Sequence, residues 1–180
     1  MKLIILDRDG VINQDSDDYI KSVDEWQPIA GSIEAIAKLS MNDYRVVVAT
    51  NQSGIARGYF DLDSLNQMHD KMHELVNDAG GSIDAVLYCP HGPDQGCDCR
   101  KPKPGMLEDI AARLRTDLRA VPVVGDSLRD LQAADAVEAR PLLVRTGKGE
   151  RTIAKLGDDL VYPVYDDLAA VVEMLLLEEG

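Results

Sequence analysis

Leu3-Ile4-Ile5-Leu6 is an unbroken apolar run that stops at Asp7, and a second carboxylate, Asp9, follows two positions on, before Gly10 and Val11. A run this short and this apolar suits a strand buried on both faces, the environment of a parallel sheet covered by helices. Ligands of such sheets collect in the crevice beyond the carboxyl ends of the strands. Side chains two apart on a strand share a face, so Asp7 and Asp9 are expected to meet one ion if extended geometry persists past Leu6. Two anions so close need a cation. Magnesium, which prefers oxygen ligands, would leave one Asp to attack a phosphorus atom while the other handles a proton. A strand ending in a solvated acidic turn is the alternative. Gly10 weighs against it, since a residue without Cβ lets the backbone turn tightly beside a ligand.

The pattern recurs along the chain. Val46 to Ala49 stops at Thr50-Asn51-Gln52-Ser53, Ile83 to Tyr88 runs into Cys89, and Val121 to Val124 stops at Gly125-Asp126-Ser127. Leu142 to Val144 leads into a basic glycine loop over 145–149 expected to border the site, and 160–165 suits a short last strand. Helical spacing fills the intervals: a helix with Ser32 as its expected N-cap, another over 63–77, a third opened by Pro104-Gly105, and a last one capped by Asp167. The alternation predicts an α/β fold, a doubly wound, mostly parallel sheet with helices on both faces, forming a single domain over 1–180. Residues 13–27 are polar and acidic, with Tyr19 and Trp26 among them, and read as a flap over the site.

Formal net charge over the 180 residues is −13, which opposes binding to nucleic acid or to an anionic membrane. No apolar run approaches membrane length and no secretory pattern opens the chain, so the expected location is the cytoplasm. An anionic substrate then needs a local basic pocket. Arg100 and Lys101 are its first candidates, lysine as a point charge and arginine as a two-pronged fork. They directly follow Cys89, His91, Cys97 and Cys99, whose spacing suits a closed tetrahedral zinc site of structural type over 89–99. Zinc there would fix Cys99, and through it the direction of the next two cations; chance clustering of reduced thiols is the alternative. Arg57, between Gly54 and Gly58, is a further anion-binding candidate, and the Thr50 hydroxyl could hold a phosphoryl oxygen or merely cap its strand. Asp126 is the preferred third magnesium ligand. Asp130 is either a helix-start residue or a partner behind the ligands. His69 and His73, one helical turn apart, are read as boundary residues without metal.

Asp7-Arg8-Asp9-Gly10, Thr50, Lys101 and Asp126, all at successive strand ends or just beyond them, together resemble the haloacid-dehalogenase superfamily over essentially the whole chain. The resemblance implies a Rossmann-like fold in which Asp7 is the nucleophile and Asp9 the general acid and base, passing through an aspartyl-phosphate. It also implies that Thr50 and Lys101 hold the phosphoryl group, and that magnesium is held by the side chains of Asp7 and Asp126 and the backbone carbonyl of Asp9. Asn51, Gln52, Ser53, Arg57, Arg100 and Ser127 are expected around the substrate. The intervals have little room for a separate cap domain, so a small soluble substrate, a phosphorylated sugar, is expected, and the lack of an obvious exposed apolar helix points to a monomer. Within the superfamily, Ser53-Gly54-Ile55-Ala56-Arg57-Gly58 and the Cys/His loop are similar to the heptose bisphosphate branch, with the histidinol phosphate branch as its sister. Ser127 departs from that pattern, standing where some members carry lysine, and the tract between His91 and Cys97 is shorter than in some. A zinc-loop binding module on an inactive scaffold is the alternative from another class.

Overall fold

A computed structural model of the protein describes residues 1–179. Its strands are β1 (Lys2–Leu6), β2 (Tyr44–Asn51), β3 (Ala85–Cys89), β4 (Pro122–Gly125), β5 (Arg140–Val144) and β6 (Val164–Tyr165). They form one six-stranded sheet of order β3-β2-β1-β4-β5-β6 in which every registered pair is parallel. From β1 the chain winds outward through β2 and β3, then returns to the other side of β1 for β4, β5 and β6. The strand order therefore reverses between β1 and β4, the place where open α/β sheets hold their ligands.

The helices are α1 (Ser32–Met41), α2 (Leu62–Asp78), α3 (Gly105–Leu114), α4 (Leu128–Ala136), α5 (Gly149–Leu156) and α6 (Leu168–Glu178). Alternate residues of β1 go to opposite cores, as strand pleating requires. Ile4 and Leu6 join Val46, Val48, Ile36, Leu39, Met68, Met72 and Leu168 on the face covered by α1, α2 and α6. Leu3 and Ile5 join Val47, Ala49, Leu107, Ile110, Ala133 and Ala134 on the face covered by α3 and α4. Both faces of the central strands are dry, so their polar residues fall at the strand ends, and chemistry is confined to the strand termini.

Residue 31 rather than 32 caps α1: Gly31 has φ +84°, and the Ser32 hydroxyl donates instead to the Val11 carbonyl at 2.9 Å, fastening the turn after β1 to the helix. The expected cap of the last helix is present, with the Asp167 carboxylate accepting from the Ala170 N–H at 2.9 Å. Helix α5 had no counterpart in the sequence pattern. Residues 14–27 form an irregular loop closed at its base by Gln14 N–H donating to the Gln27 carbonyl at 2.8 Å. It is anchored beneath by buried Trp26, whose carbonyl accepts from Lys71 Nζ of α2 at 2.6 Å.

Candidate active site

Asp7 is the first residue after β1, and its N–H still donates to the Val124 carbonyl at 2.9 Å, so the two strands deliver Asp7 and Asp126 to one crevice. Asp130, from the first turn of α4, joins them, and a carboxylate oxygen from each of the three lies within 4.8 Å of the others. Lys101 is buried among them. Its ammonium donates to the Ala49 carbonyl at 2.7 Å and pairs with Asp7 Oδ1 at 3.0 Å and Asp130 Oδ1 at 2.6 Å, filling all three of its N–H positions. Burial works against that charge, but Asp130 and Asp7 outweigh it and raise the Lys101 pKa.

One ammonium is too little for three carboxylates. Burial first, and then the charge of Asp130, push Asp7 up to about 7. Burial, Asp130 and Asp7 raise Asp126 well above the usual carboxylate range, against the 2.7 Å hydrogen bond it accepts from the Lys148 N–H. The pocket around Asp126 is shaped as closely as its charge. A Cβ on Gly10 or on Gly147 would collide with Asp126 Oδ2, so neither position admits a side chain. An oxygen-rich cleft with surplus negative charge fits a hard divalent cation. Asp130 is not free to be a ligand in the same way. Its Oδ1 is held by Lys101, and its Oδ2 accepts from Ser127 N–H at 3.0 Å and Ser127 Oγ at 2.7 Å. It serves as both helix-start residue and anchor for Lys101.

The expectation for Asp9 needs correcting. Strand geometry does not persist past Leu6; the chain turns at Gly10, φ +86°, and the Asp9 carboxylate leaves the three-carboxylate group. Its Oδ1 accepts from Arg8 Nε at 3.1 Å, Arg8 Nη2 at 2.9 Å and Asn13 Nδ2 at 2.8 Å, while Oδ2 accepts from Gln52 Nε2 at 2.9 Å. Burial would raise its pKa, but Arg8, Asn13 and Gln52 prevail and hold it below the ordinary value. Its side chain therefore does not share an ion with Asp7; only its backbone carbonyl remains for that role.

The second strand end arrives as expected. Gln52 Nε2 also donates to Thr50 Oγ1 at 2.9 Å, which leaves the buried Thr50 hydroxyl its own proton to give. Asn51 is committed elsewhere: its amide donates to the Lys101 carbonyl and accepts from the Lys101 N–H, both at 3.0 Å, clamping the lysine loop to β2. Ser53, Arg100 and Ser127 line the same cavity as Asp7. Arg57 does not. Phe60 packs over Gly54, the intervening turn points outward, and the Arg57 guanidinium stacks 5.9 Å from the Tyr19 ring centroid. It stacks on a flap residue, Tyr19, that itself lines the cavity.

Asp15 of the flap and Lys148 of the basic loop line the cavity, as those two segments were expected to, whereas Arg129 of α4 escaped sequence reasoning because it looks like ordinary solvated charge. Lys148 Nζ pairs with Asp15 Oδ2 at 3.1 Å, tying flap to cleft. Arg129 faces the same cavity as Arg100, whose pKa is lowered by burial first and by the charge of Arg129 second. Two guanidiniums thus stand on the rim of an otherwise acidic cleft.

Beside that rim, Cys89, His91, Cys97 and Cys99 converge. Cys89 Sγ lies 3.7 Å from Cys97 Sγ and 3.2 Å from Cys99 Sγ, and His91 Nδ1 lies 3.5 Å from Cys89 and 3.3 Å from Cys99. Tetrahedral ligands about 2.1–2.3 Å from a zinc ion are spaced roughly 3.4–3.8 Å apart, so the donor set fits that ion. The loop's backbone then carries Arg100, whose Nη1 donates to the His91 carbonyl at 3.3 Å.

Asp7 gives this site a pH signature. Its pKa in the fold, about 7, lies above the ordinary 3.8, so the metal-free fold holds an extra proton between those values and loses stability as pH rises through them. Asp126 acts in the same direction. Magnesium competes with those protons, so it should raise the melting temperature more at about pH 8 than at about pH 5.5, by roughly 2–4 °C for each kcal/mol recovered. Thermal unfolding with and without magnesium checks this; an equal shift at both pH values would contradict it.

Comparison with known proteins agrees with this geometry. Residues 98–171, which include Lys101, Asp126 and Asp130, match the HAD-hydrolase-like family. The D-glycero-beta-D-manno-heptose-1,7-bisphosphate 7-phosphatase of Bordetella bronchiseptica is 59% identical over 178 residues, covering 99% of each chain. The enzyme of the same name from Pseudomonas aeruginosa is 59% identical over 175 residues, covering 97% of each. The crystal structure of D,D-heptose 1,7-bisphosphate phosphatase from B. bronchiseptica, complexed with magnesium and phosphate, superposes with a TM-score of 0.96 over 99% of both chains. Identity of 59% along nearly the whole length of such relatives means that the chain, with its cleft of Asp7, Lys101 and Asp126 at the sheet's switch point, belongs to the heptose-1,7-bisphosphate 7-phosphatase family of HAD-like hydrolases.

Proposed function

We propose that this protein is a magnesium-dependent phosphatase that removes the 7-phosphate of D-glycero-beta-D-manno-heptose 1,7-bisphosphate, acting as a monomer. The observation that carries the chemistry is the meeting of Asp7, Asp126 and Lys101 at the reversal point of the sheet. Asp7, Asp126 and the Asp9 carbonyl would hold magnesium, which supplies the positive charge that offsets repulsion between carboxylate and phosphoryl group.

Asp7 attacks phosphorus in line as the bond from phosphorus to the sugar oxygen breaks, and Asp9 delivers a proton to that departing oxygen. The products of this step are heptose 1-phosphate and an aspartyl-phosphate on Asp7. Asp9, now a carboxylate, takes a proton from the water that attacks the same phosphorus, and inorganic phosphate leaves with Asp7 restored. Asp9 rests ionised, the form that the second step needs. An arriving phosphoryl dianion raises its pKa and loads it for the first. Thr50 donates to an equatorial oxygen, and Lys101 exchanges its contact with Asp7 for another. Gln52 links Thr50 to Asp9, because its one amide nitrogen donates to both.

Arg100 and Arg129 suit the second phosphate, with Arg129 supplying from α4 a charge that Ser127 lacks. Ser53 completes the polar wall. Zinc on Cys89, His91, Cys97 and Cys99 stiffens the loop that aims Arg100. The reduced thiols that zinc needs support a cytoplasmic location, and the role we propose there is in the supply of nucleotide-activated heptose for lipopolysaccharide. Among the described residues no helix is long and apolar enough to cross a membrane.

Phosphate release from heptose 1,7-bisphosphate and from histidinol phosphate, measured side by side with Asp7→Asn as blank, tests the reading. The bisphosphate should be strongly preferred and the blank inert. In Arg129→Gln, KM for the bisphosphate should rise about tenfold, the loss of roughly 1.4 kcal/mol, while turnover of a monophosphate stays unchanged. Preference for histidinol phosphate would move the protein to the sister branch, and a blank equal to the parent would restore the binding-module alternative.

Zinc has its own test. Removal by a chelator should lower the melting temperature and raise KM more than it lowers kcat, because Arg100 loses its support. A metal assay finding no zinc in the purified protein would contradict the assignment.

A further inference from the structure

Arg8, between the two reactive carboxylates in sequence, is completely buried, and its guanidinium makes two kinds of contact. Nε and Nη2 both donate to Asp9 Oδ1, at 3.1 and 2.9 Å. Nη1 lies 3.2 Å from Nε2 of His69, a buried residue of α2 on the far side of the guanidinium. Arginine has only donors, so His69 Nε2 must accept this bond, and the ring is neutral with its proton on Nδ1. Burial, and then the Arg8 charge, push the His69 pKa down to about 3, so the acceptor persists through the working range of pH.

The consequence falls on Asp9. With Arg8 and Asn13 saturating Oδ1, the proton traffic of the reaction is left to Oδ2, which accepts from Gln52 alone. His69 is the acceptor that Nη1 has, and this bond holds the guanidinium in the orientation that meets Oδ1. Without that acceptor, a buried charged donor is left unsatisfied, and the guanidinium must turn toward some other acceptor. We propose that His69 is a positioning residue for the reaction: it fixes the Arg8 guanidinium, which fixes the Asp9 carboxyl with Oδ2 facing the leaving oxygen. This rests on the assignment of Asp9 as the acid that protonates the departing sugar oxygen.

The signature of a misplaced acid depends on the leaving group. A sugar alkoxide needs a proton to leave, whereas the p-nitrophenolate of p-nitrophenyl phosphate leaves without one. In His69→Leu, kcat/KM for the heptose bisphosphate should fall about ten- to a hundredfold, while kcat/KM for p-nitrophenyl phosphate should change by less than about threefold. The aryl substrate also reports how much enzyme is folded. His69→Gln, which offers an acceptor near the position of Nε2, should restore the sugar reaction. His69→Asn, polar but too short to reach Arg8, should not, and this pair carries the test if the leucine variant fails to fold. Equal losses on both substrates, an unaffected leucine variant, or glutamine and asparagine behaving alike would each overturn the role of His69. Asp9→Asn is the reference. If it shows the leaving-group signature and the His69 variants do not, this inference alone fails; if it depresses both substrates equally, the acid assignment of Asp9 fails and takes the inference with it.

Discussion

The ammonium group of Lys101, buried against Asp7, Asp130 and the Ala49 carbonyl, joins parts of the molecule that are otherwise far apart in sequence. It sits where the ends of β1, β2 and β4 come together, and it arrives from the loop that the Cys/His cluster shapes. Asn51 clamps the lysine backbone to β2, and Asp130 ties its charge to the first turn of α4. Even so, the cleft keeps more negative charge than one lysine offsets, as the raised pKa values of Asp7 and Asp126 show. That residual charge is what a divalent cation and a phosphoryl group must resolve between them, and it explains why this concentration of acid is tolerated in a fold whose sheet is otherwise dry on both faces.

The two carboxylates of the first motif sit in opposite electrostatic settings. Asp7, among like charges, has its pKa pushed up; Asp9, ringed by Arg8, Asn13 and Gln52, is held down. Groups of one chemical type driven apart in this way are the usual basis for dividing roles between nucleophile and proton carrier. The end of β1 at Leu6 and the bend at Arg8 allow the division. Asp9 leaves the strand face that Asp7 occupies, and its side chain joins a separate network that reaches α2 through His69.

Much of this was legible in the sequence because dry parallel strands leave little choice. The apolar runs ending at Asp7, Thr50, Cys89 and Asp126 are the strands observed, and Asp7, Asn51 and Asp126 from the ends of three of them line one cavity. What was illegible fails for physical reasons that differ from residue to residue. Asp9 follows a backbone turn, not the strand's alternation. Arg57 lies in a turn whose direction is set by Phe60 packing over Gly54, a contact no spacing reveals. Helix α5 buries only Gly149 and Thr152, so it has no apolar stripe to announce it. Arg129 looks like surface charge until the fold turns it toward a cavity, and Ser32 has the chemistry of a cap but donates to the Val11 carbonyl instead.

Everything proposed for the reaction depends on Asp7 forming a bond to phosphorus. The most direct measurement is rapid acid quenching of the magnesium-loaded enzyme with heptose 1,7-bisphosphate, followed by peptide mass spectrometry. The account predicts one phosphoryl group on the peptide that contains Asp7, formed and lost at rates compatible with turnover and not formed in Asp7→Asn. Turnover with no phosphorylated peptide at any quench time, or a phosphoryl group on a different residue, would contradict it.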